Sequence, residues 1–422
     1  MKQRLTKPIK TIAVVFLLSW LLLAAYANTP PTSVSAAPLL QTSCTLPATV
    51  TTASQLSNCI TTANAGSGGT ITLGADITLT SALPQIATAI TLEGANHVID
   101  GGSTVRIFSV ASTGNFTINR ATLKNGHAVD GGGLSNAGFL VITESTLTDN
   151  DAAAAGGAIY NGSGALVAVA NSTISGNSAL SGGGGIYSAG TTLLFNSTVS
   201  GNEAGGAGGG ISLTSPSVLT ASGTTFYGNT ASAGGSQAAV FANSGTTVHL
   251  AGNLFAGGSN CDIRGTFNDK GYNLSDDATC TNGATGSATN VTLNLGALAD
   301  NGGSTLTHLP GAGSAAIGAI PNGTAINNNT LPMSCNNTTT DQLGSRRPLS
   351  AGINCTSGAV EVAPTVTSLT IIKDASPAIG TDFDFTINSA PLTSYSDTTI
   401  GKPFWTRPNE GTTCTLSANS VR

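Results

Sequence analysis

The sequence predicts an all-β fold, a right-handed parallel β-helix. Three observations predict it: a glycine-rich, charge-poor composition, a repeat of 25–27 residues, and short apolar runs inside each repeat. Glycine supplies 54 of the 422 residues, charged residues 8% and aromatic residues 5%. No glycine recurs at every third position, which excludes a collagen. A hydrophobic fraction of 40% excludes a charge-solvated disordered chain. What remains is a chain of many tight turns between short strands. A net charge of −5 without any Lys/Arg cluster argues against a nucleic-acid partner.

The N-terminus reads as an export signal. Lys2, Arg4, Lys7 and Lys10 precede an apolar run from Ile12 to Ala25, and Ala25-Tyr26-Ala27 fits the small-x-small rule of a signal-peptidase site. The run is shorter than the ~20 residues of a spanning helix. Residues 1–27 are therefore expected to be removed, leaving a secreted or extracellular chain without a transmembrane span, the alternative being an uncleaved anchor. Residues 28–66 read as a linker and N-terminal cap, with a short helix around Leu56–Ala65. In an oxidising compartment, six of the seven cysteines fall into near pairs that suit disulfides better than metal ligands: Cys44 with Cys59, Cys261 with Cys280, Cys335 with Cys355. Cys414 is left over, either a free thiol or the partner of a cysteine beyond this sequence.

The repeat lies between about residues 120 and 245, within a solenoid expected over residues 67–265. Its first half reads GGGLSN, GGAIYN, GGGIYS and GGGISL, and it places Leu134, Ile159, Ile186 and Ile211 in one column, with Val240 in a later copy. Its second half reads ESTLTDN, NSTISGN, NSTVSGN and GTTFYGN, and aligns Leu147, Ile174, Val199 and Phe226. This period is too short for a helix pair but fits one coil with two or three strands, whose side chains alternate between interior and exterior. Thr146, Thr173, Thr198 and Thr225 form a β-branched column beside the apolar one. Asn150, Asn177, Asn202 and Asn229 form a turn column, expected to adopt the left-handed conformation and to bond one another from coil to coil. The glycine doublets supply positive φ at the opposite corner. Earlier segments such as GGTITLGADITLT and AITLEGANHVID read as the first coils, and the solenoid has room for roughly eight in all.

The GGA(I/L) and (F/I/V)xxN half-repeats resemble those of the polymorphic outer-membrane-protein repeat, with Phe226–Asn229 the nearest copy. A second resemblance runs through Asn260–Cys280, Ala297–Ala319, Thr340–Pro348 and Cys355–Glu361, which together look like the end of a choice-of-anchor Q domain protein. The sequence departs from that pattern at Gly318 and Val360, where an acid and an aromatic are expected. The resemblance implies a secreted β-helix scaffold, a pectate-lyase-like solenoid closed by C-terminal coils and a cap over residues 266–363, and it brings no catalytic residue. From residue 364 to 422, LTIIKD (Leu369–Asp374) and FDFTI (Phe383–Ile387) resemble the opening strands of a prealbumin-like or immunoglobulin-like module. Fewer residues remain than the ~100 of a complete sandwich, so a partial β-sandwich-like segment is expected.

Candidate chemistry is sparse. Polysaccharide lyases and hydrolases on β-helices need paired carboxylates or a carboxylate-bound Ca²⁺. The repeat offers Asp130, Glu144, Asp149, Asp151 and Glu203, and Asp149 aligns with Gly176, Gly201 and Gly228 rather than with other acids. Asp149 and Asp151 flank one turn and read as solvated. His97, His127, His249 and His308 show no metal-ligand spacing. His308, Arg346 and Arg347 fall in the resembled motifs and read as structural. The sequons at Asn115, Asn171 and Asn196 arise from the repeat itself. The best binding feature is aromatic: Tyr160, Tyr187 and Phe241 share a column that Ser212 interrupts, pointing outward if the isoleucines before them point in. Such rings either stack on sugar faces or on one another.

No cofactor and no metal are implied, and no marker of an enzyme stands out. The function expected is a non-catalytic cell-surface scaffold, adhesin-like, with polysaccharide or another cell-surface protein as partner. A polysaccharide lyase or glycoside hydrolase, and an exported passenger domain, are the alternatives.

Overall fold

The computed structural model describes residues 44–232, 239–328 and 331–363, with the backbone of strands Ser368–Ile371, Thr386–Ile387, Ala390–Pro391 and Cys414–Ser417. The expected export signal lies outside the described residues, as do the side chain of Cys414 and most of the segment after residue 363. Ser368–Ile371 pairs antiparallel with Cys414–Ser417, and Thr386–Ile387 with Ala390–Pro391.

The chain winds into a parallel β-solenoid of about eight turns. Four ladders run along it, a ten-stranded, a nine-stranded, a seven-stranded and a five-stranded sheet, and within each the strands follow chain order. The columns expected from the repeat are the registers observed. Leu134 pairs with Ile159, Ile159 with Ile186, and Ile186 with Ile211 in the seven-stranded sheet. Leu147, Ile174, Val199 and Phe226 follow one another in the nine-stranded sheet. The ten-stranded sheet uses mostly five-residue strands such as Phe139–Thr143, buried at the second and fourth positions only. Alternation thus sends one continuous set of aliphatic side chains inward, each contributing about 1.5–3 kcal/mol on burial, with Phe226 and Phe255 stacked in the core at 4.8 Å.

The N-terminal helix spans Ala53–Ala65, three residues longer at its start than expected. Thr52 caps it by accepting from Gln55 N, while the Gln55 side chain accepts from Thr51 N. Leu56, Cys59, Ile60 and Ala63 form its apolar stripe and join the core, so the helix closes the open end of the first coils. The disulfide Cys44–Cys59 ties it down, and Cys261–Cys280 and Cys335–Cys355 complete the three expected pairs.

The asparagine column needs one correction. Asn150, Asn177, Asn202 and Asn229 do stack, the first three each donating from Nδ2 to the next at 2.8–2.9 Å and all four almost fully buried. The left-handed residue, however, is the one before each of them: Asp149, Gly176, Gly201 and Gly228. The amides point inward to satisfy corner backbone groups, as when Asn177 Oδ1 accepts from Asn150 N at 3.0 Å, and the outward residue takes the positive φ. At the opposite corner Gly183 has φ +66°, and a Cβ on Gly184 would collide with the carbonyl of Glu203 on the next coil.

Residues beyond the last rung at Leu274–Ser275 do more than cap. After bridging to Ala288, the chain turns back along the outer face of the nine-stranded sheet. Thr173 Oγ1 donates to Leu306 O, Thr198 Oγ1 to Gln342 Oε1, and Ala359 N to Thr225 Oγ1. The threonine column is therefore buried from Thr173 onward, under a flank segment formed by residues 290–328 and 331–363.

Candidate functional site

The aromatic column lies on the outer face of the seven-stranded sheet. Ser109, Ser135, Tyr160, Tyr187, Ser212, Phe241 and Asp262 occupy successive rungs. Tyr160 and Tyr187 stack on each other, with centroids 5.2 Å apart and planes 10° from parallel. Both are half-buried, and burial first, then Tyr187 and Asp130, raises the Tyr160 hydroxyl above its ordinary range. Phe241 stands apart: it is buried, and the Arg264 guanidinium lies 5.0 Å from its centroid. Two of the three expected rings thus form one surface and the third a separate cation–π contact.

The acids are dispersed. Asp130 accepts from Ala155 N, with the half-buried Arg106 bonded to the carbonyls of Asp130 and Gly131. Asp149 accepts from Thr148 Oγ1. Asp151 lies between His127, at 2.9 Å, and Ser178. Glu203 is exposed in the five-stranded sheet, and Glu144 accepts from Ser304 Oγ at 3.1 Å. Among the described residues no group of three or more His, Cys, Asp or Glu is placed to share a metal ion.

His97, His127 and His308 are local fixtures of the fold. His97 meets Asp76 at 3.1 Å. Burial holds His308 below the ordinary histidine range, so its neutral ring donates from Nδ1 to Gly296 O and accepts at Nε2 from Ser200 Oγ, beside Tyr227.

Two constellations were missed. The first joins the flank segment to itself and to the solenoid. Arg347 and Glu361 form a buried ion pair at 3.1 Å, Glu361 N donates to Asp341, and Gln342 bridges Thr173, Thr198 and Thr305. Burial pushes the Glu361 carboxyl up to about 7 against the pull of Arg347 and Thr356 N. The second is a polar cleft of about 390 Å³, lined by Asn96, Arg120, Thr122, Glu144, Thr146 and Ser304 among others. Arg120 and Glu144 occupy adjacent rungs of one left-handed corner, with φ of +48° and +49°. Arg120 reaches Glu93 at 3.7 Å, and Glu93 accepts from Asn119 at 2.7 Å. The repeat carried a signal for this pair, because Arg120 precedes Glu144 by one coil. The wall at Ser304, 160 residues away from Glu144, left no periodic trace.

A family model described as a right-handed β-helix region matches residues 106–294. With the parallel ladders, that match defines the class: a right-handed parallel β-helix protein. Comparisons with curated proteins and with solved structures gave no match.

Proposed function

We propose that this chain is a non-catalytic extracellular scaffold, adhesin-like in use, that presents its β-faces to polysaccharide or to another cell-surface protein. The observation that carries the reading is that Tyr160 and Tyr187, although stacked on each other, stay half-exposed on an outward in-register ladder near Asp130. Rigid aromatic surfaces bind with little ordering cost. Three disulfides are consistent with secretion. The four choice-of-anchor Q-like stretches lie on the last coils and the flank, where Gln342, Arg347 and Glu361 of the last two fasten the segment to the solenoid or to itself. That location suits a scaffold whose C-terminal anchoring device follows the helix.

The test incubates the protein with neutral and acidic polysaccharides, reading both retention and new chain ends. Retention that falls about tenfold in a Tyr160→Ala, Tyr187→Ala double variant supports the reading. New reducing or unsaturated ends, lost on Glu144→Ala, would replace it with a carbohydrate-active enzyme. That second reading is favoured by one observation, that Glu144 lines a cleft with Glu93 bonded nearby through Arg120.

A further inference from the structure

On the outer face of the nine-stranded sheet one column is an unbroken run of threonines from Thr122 to Thr225, and only part of it is covered. Thr173, Thr198 and Thr225 are almost completely buried under the flank segment, whereas Thr122 and Thr146, their partners on earlier rungs, remain half-exposed. The cover stops between the rungs of Thr146 and Thr173. Thr305 Oγ1 donates to Asn171 O, Leu306 O accepts from Thr173, and Ser304 turns to Glu144. The uncovered rungs therefore form a groove, stopped at one end by Gly303 and Ser304 and open toward Val98–Asp100.

The chemistry of that groove is specific in kind. Hydroxyls of Thr122, Thr146 and Ser304, the amide of Asn96, the guanidinium of Arg120 and the carboxylate of Glu144 interleave donors with acceptors. Adjacent rungs repeat at about 4.8 Å, so paired donors and acceptors recur along the groove. The lining offers no apolar pocket to seat a peptide side chain. Glu93, Asp100, Glu144 and Asp149 border the strip against Arg120 and Lys124, a negative balance that disfavours an anionic ligand. Adjacent hydroxyls of a neutral sugar match such a lining, bonding the guanidinium on one side and the carboxylate on the other.

We infer that this groove binds the terminus of a neutral oligosaccharide, with the chain end against Ser304 and the following units running over Thr146 and Thr122. The inference rests on the scaffold reading but uses a different face from the tyrosine stack, so the two separate experimentally.

The test measures binding of the full chain by calorimetry to neutral cello- and manno-oligosaccharides and to an oligogalacturonate. Each variant's fold is checked by circular dichroism. The expected result is binding of a neutral oligomer that weakens about tenfold in Arg120→Ala and in the conservative Glu144→Gln, with no change in Leu180→Ala, an exposed side chain beside the five-stranded sheet. Thr122→Trp, which fills the open side, should have the same effect as Arg120→Ala. Neutral binding that ignores Arg120 and Glu144 but needs the tyrosines overturns the inference and leaves the scaffold reading intact. Preference for the oligogalacturonate overturns the ligand class. Absence of binding to any oligomer overturns the inference and removes the glycan part of the scaffold reading.

Discussion

At the residue scale, burial without periodicity marks the unusual groups. Arg347 and Glu361 are both buried, and their pairing is completed by the carbonyls of Thr356 and Gly358 on Arg347 and by Thr356 N on Glu361. Glu361 titrates at about 7 rather than 4.5, so between these values the folded chain keeps a proton that the unfolded chain has lost. Its contribution to stability is complete below pH 4.5 and is lost as the pH rises through 7. His308, held below its ordinary value, acts in the opposite sense: its contribution is present above 6.5 and is lost as the pH falls. The difference between wild type and Glu361→Gln isolates the first. Urea midpoints taken at several pH values are expected to fall from acid to alkaline conditions more in wild type than in the variant. Equal slopes would show that Glu361 is ionised throughout.

At the scale of the element, the asparagine ladder is the corner's own hydrogen-bond system. Asn177 accepts from both Asn150 N and Asn150 Nδ2 and donates to Leu147 O and Asn202 Oδ1. Asn177→Ala strips partners from a buried N–H and a buried carbonyl, and is expected to cost about 2–4 kcal/mol in urea unfolding. Asn115→Ala, at an exposed strand start, should change stability by less than about 0.5 kcal/mol. If the two variants unfold alike, the ladder is dispensable. The aliphatic columns and these amides are legible in the sequence, because both repeat with the coil. The position of the left-handed residue is not. Asn and Gly are each compatible with it, and only the inward direction of the amide decides between neighbours.

At the scale of the whole molecule, a solenoid's stability is a sum over neighbouring coils, and this one carries an additional cover on one flank. Ending the chain after Ala288 would expose Thr173, Thr198 and Thr225 and leave Ser200 and Asn196 without His308 and Thr340. Hydrogen exchange of that truncated chain is expected to show lost protection from the coil of Thr173 onward, with the coils before Thr146 unchanged. Uniform loss throughout would mean that the flank segment is needed for the solenoid to form at all.

The sequence by itself determined the coil, its inward columns, the helical cap and the three disulfide pairs. Each is encoded within one repeat length or within the 15–20 residues separating two cysteines, and stacking identical coils amplifies it. The resembled C-terminal motifs marked His308, Arg346 and Arg347 as structural; the structure buries His308 and Arg347 and leaves Arg346 exposed. What only the tertiary structure decided is which face of the solenoid stays open. The flank segment joins Leu306 to Thr173 across 133 residues and Gln342 to Thr198 across 144, through irregular backbone whose hydrogen bonds follow no period. Where that segment reaches Glu144 through Ser304, it turns an otherwise ordinary corner containing Arg120 and Glu144 into the wall of a cleft.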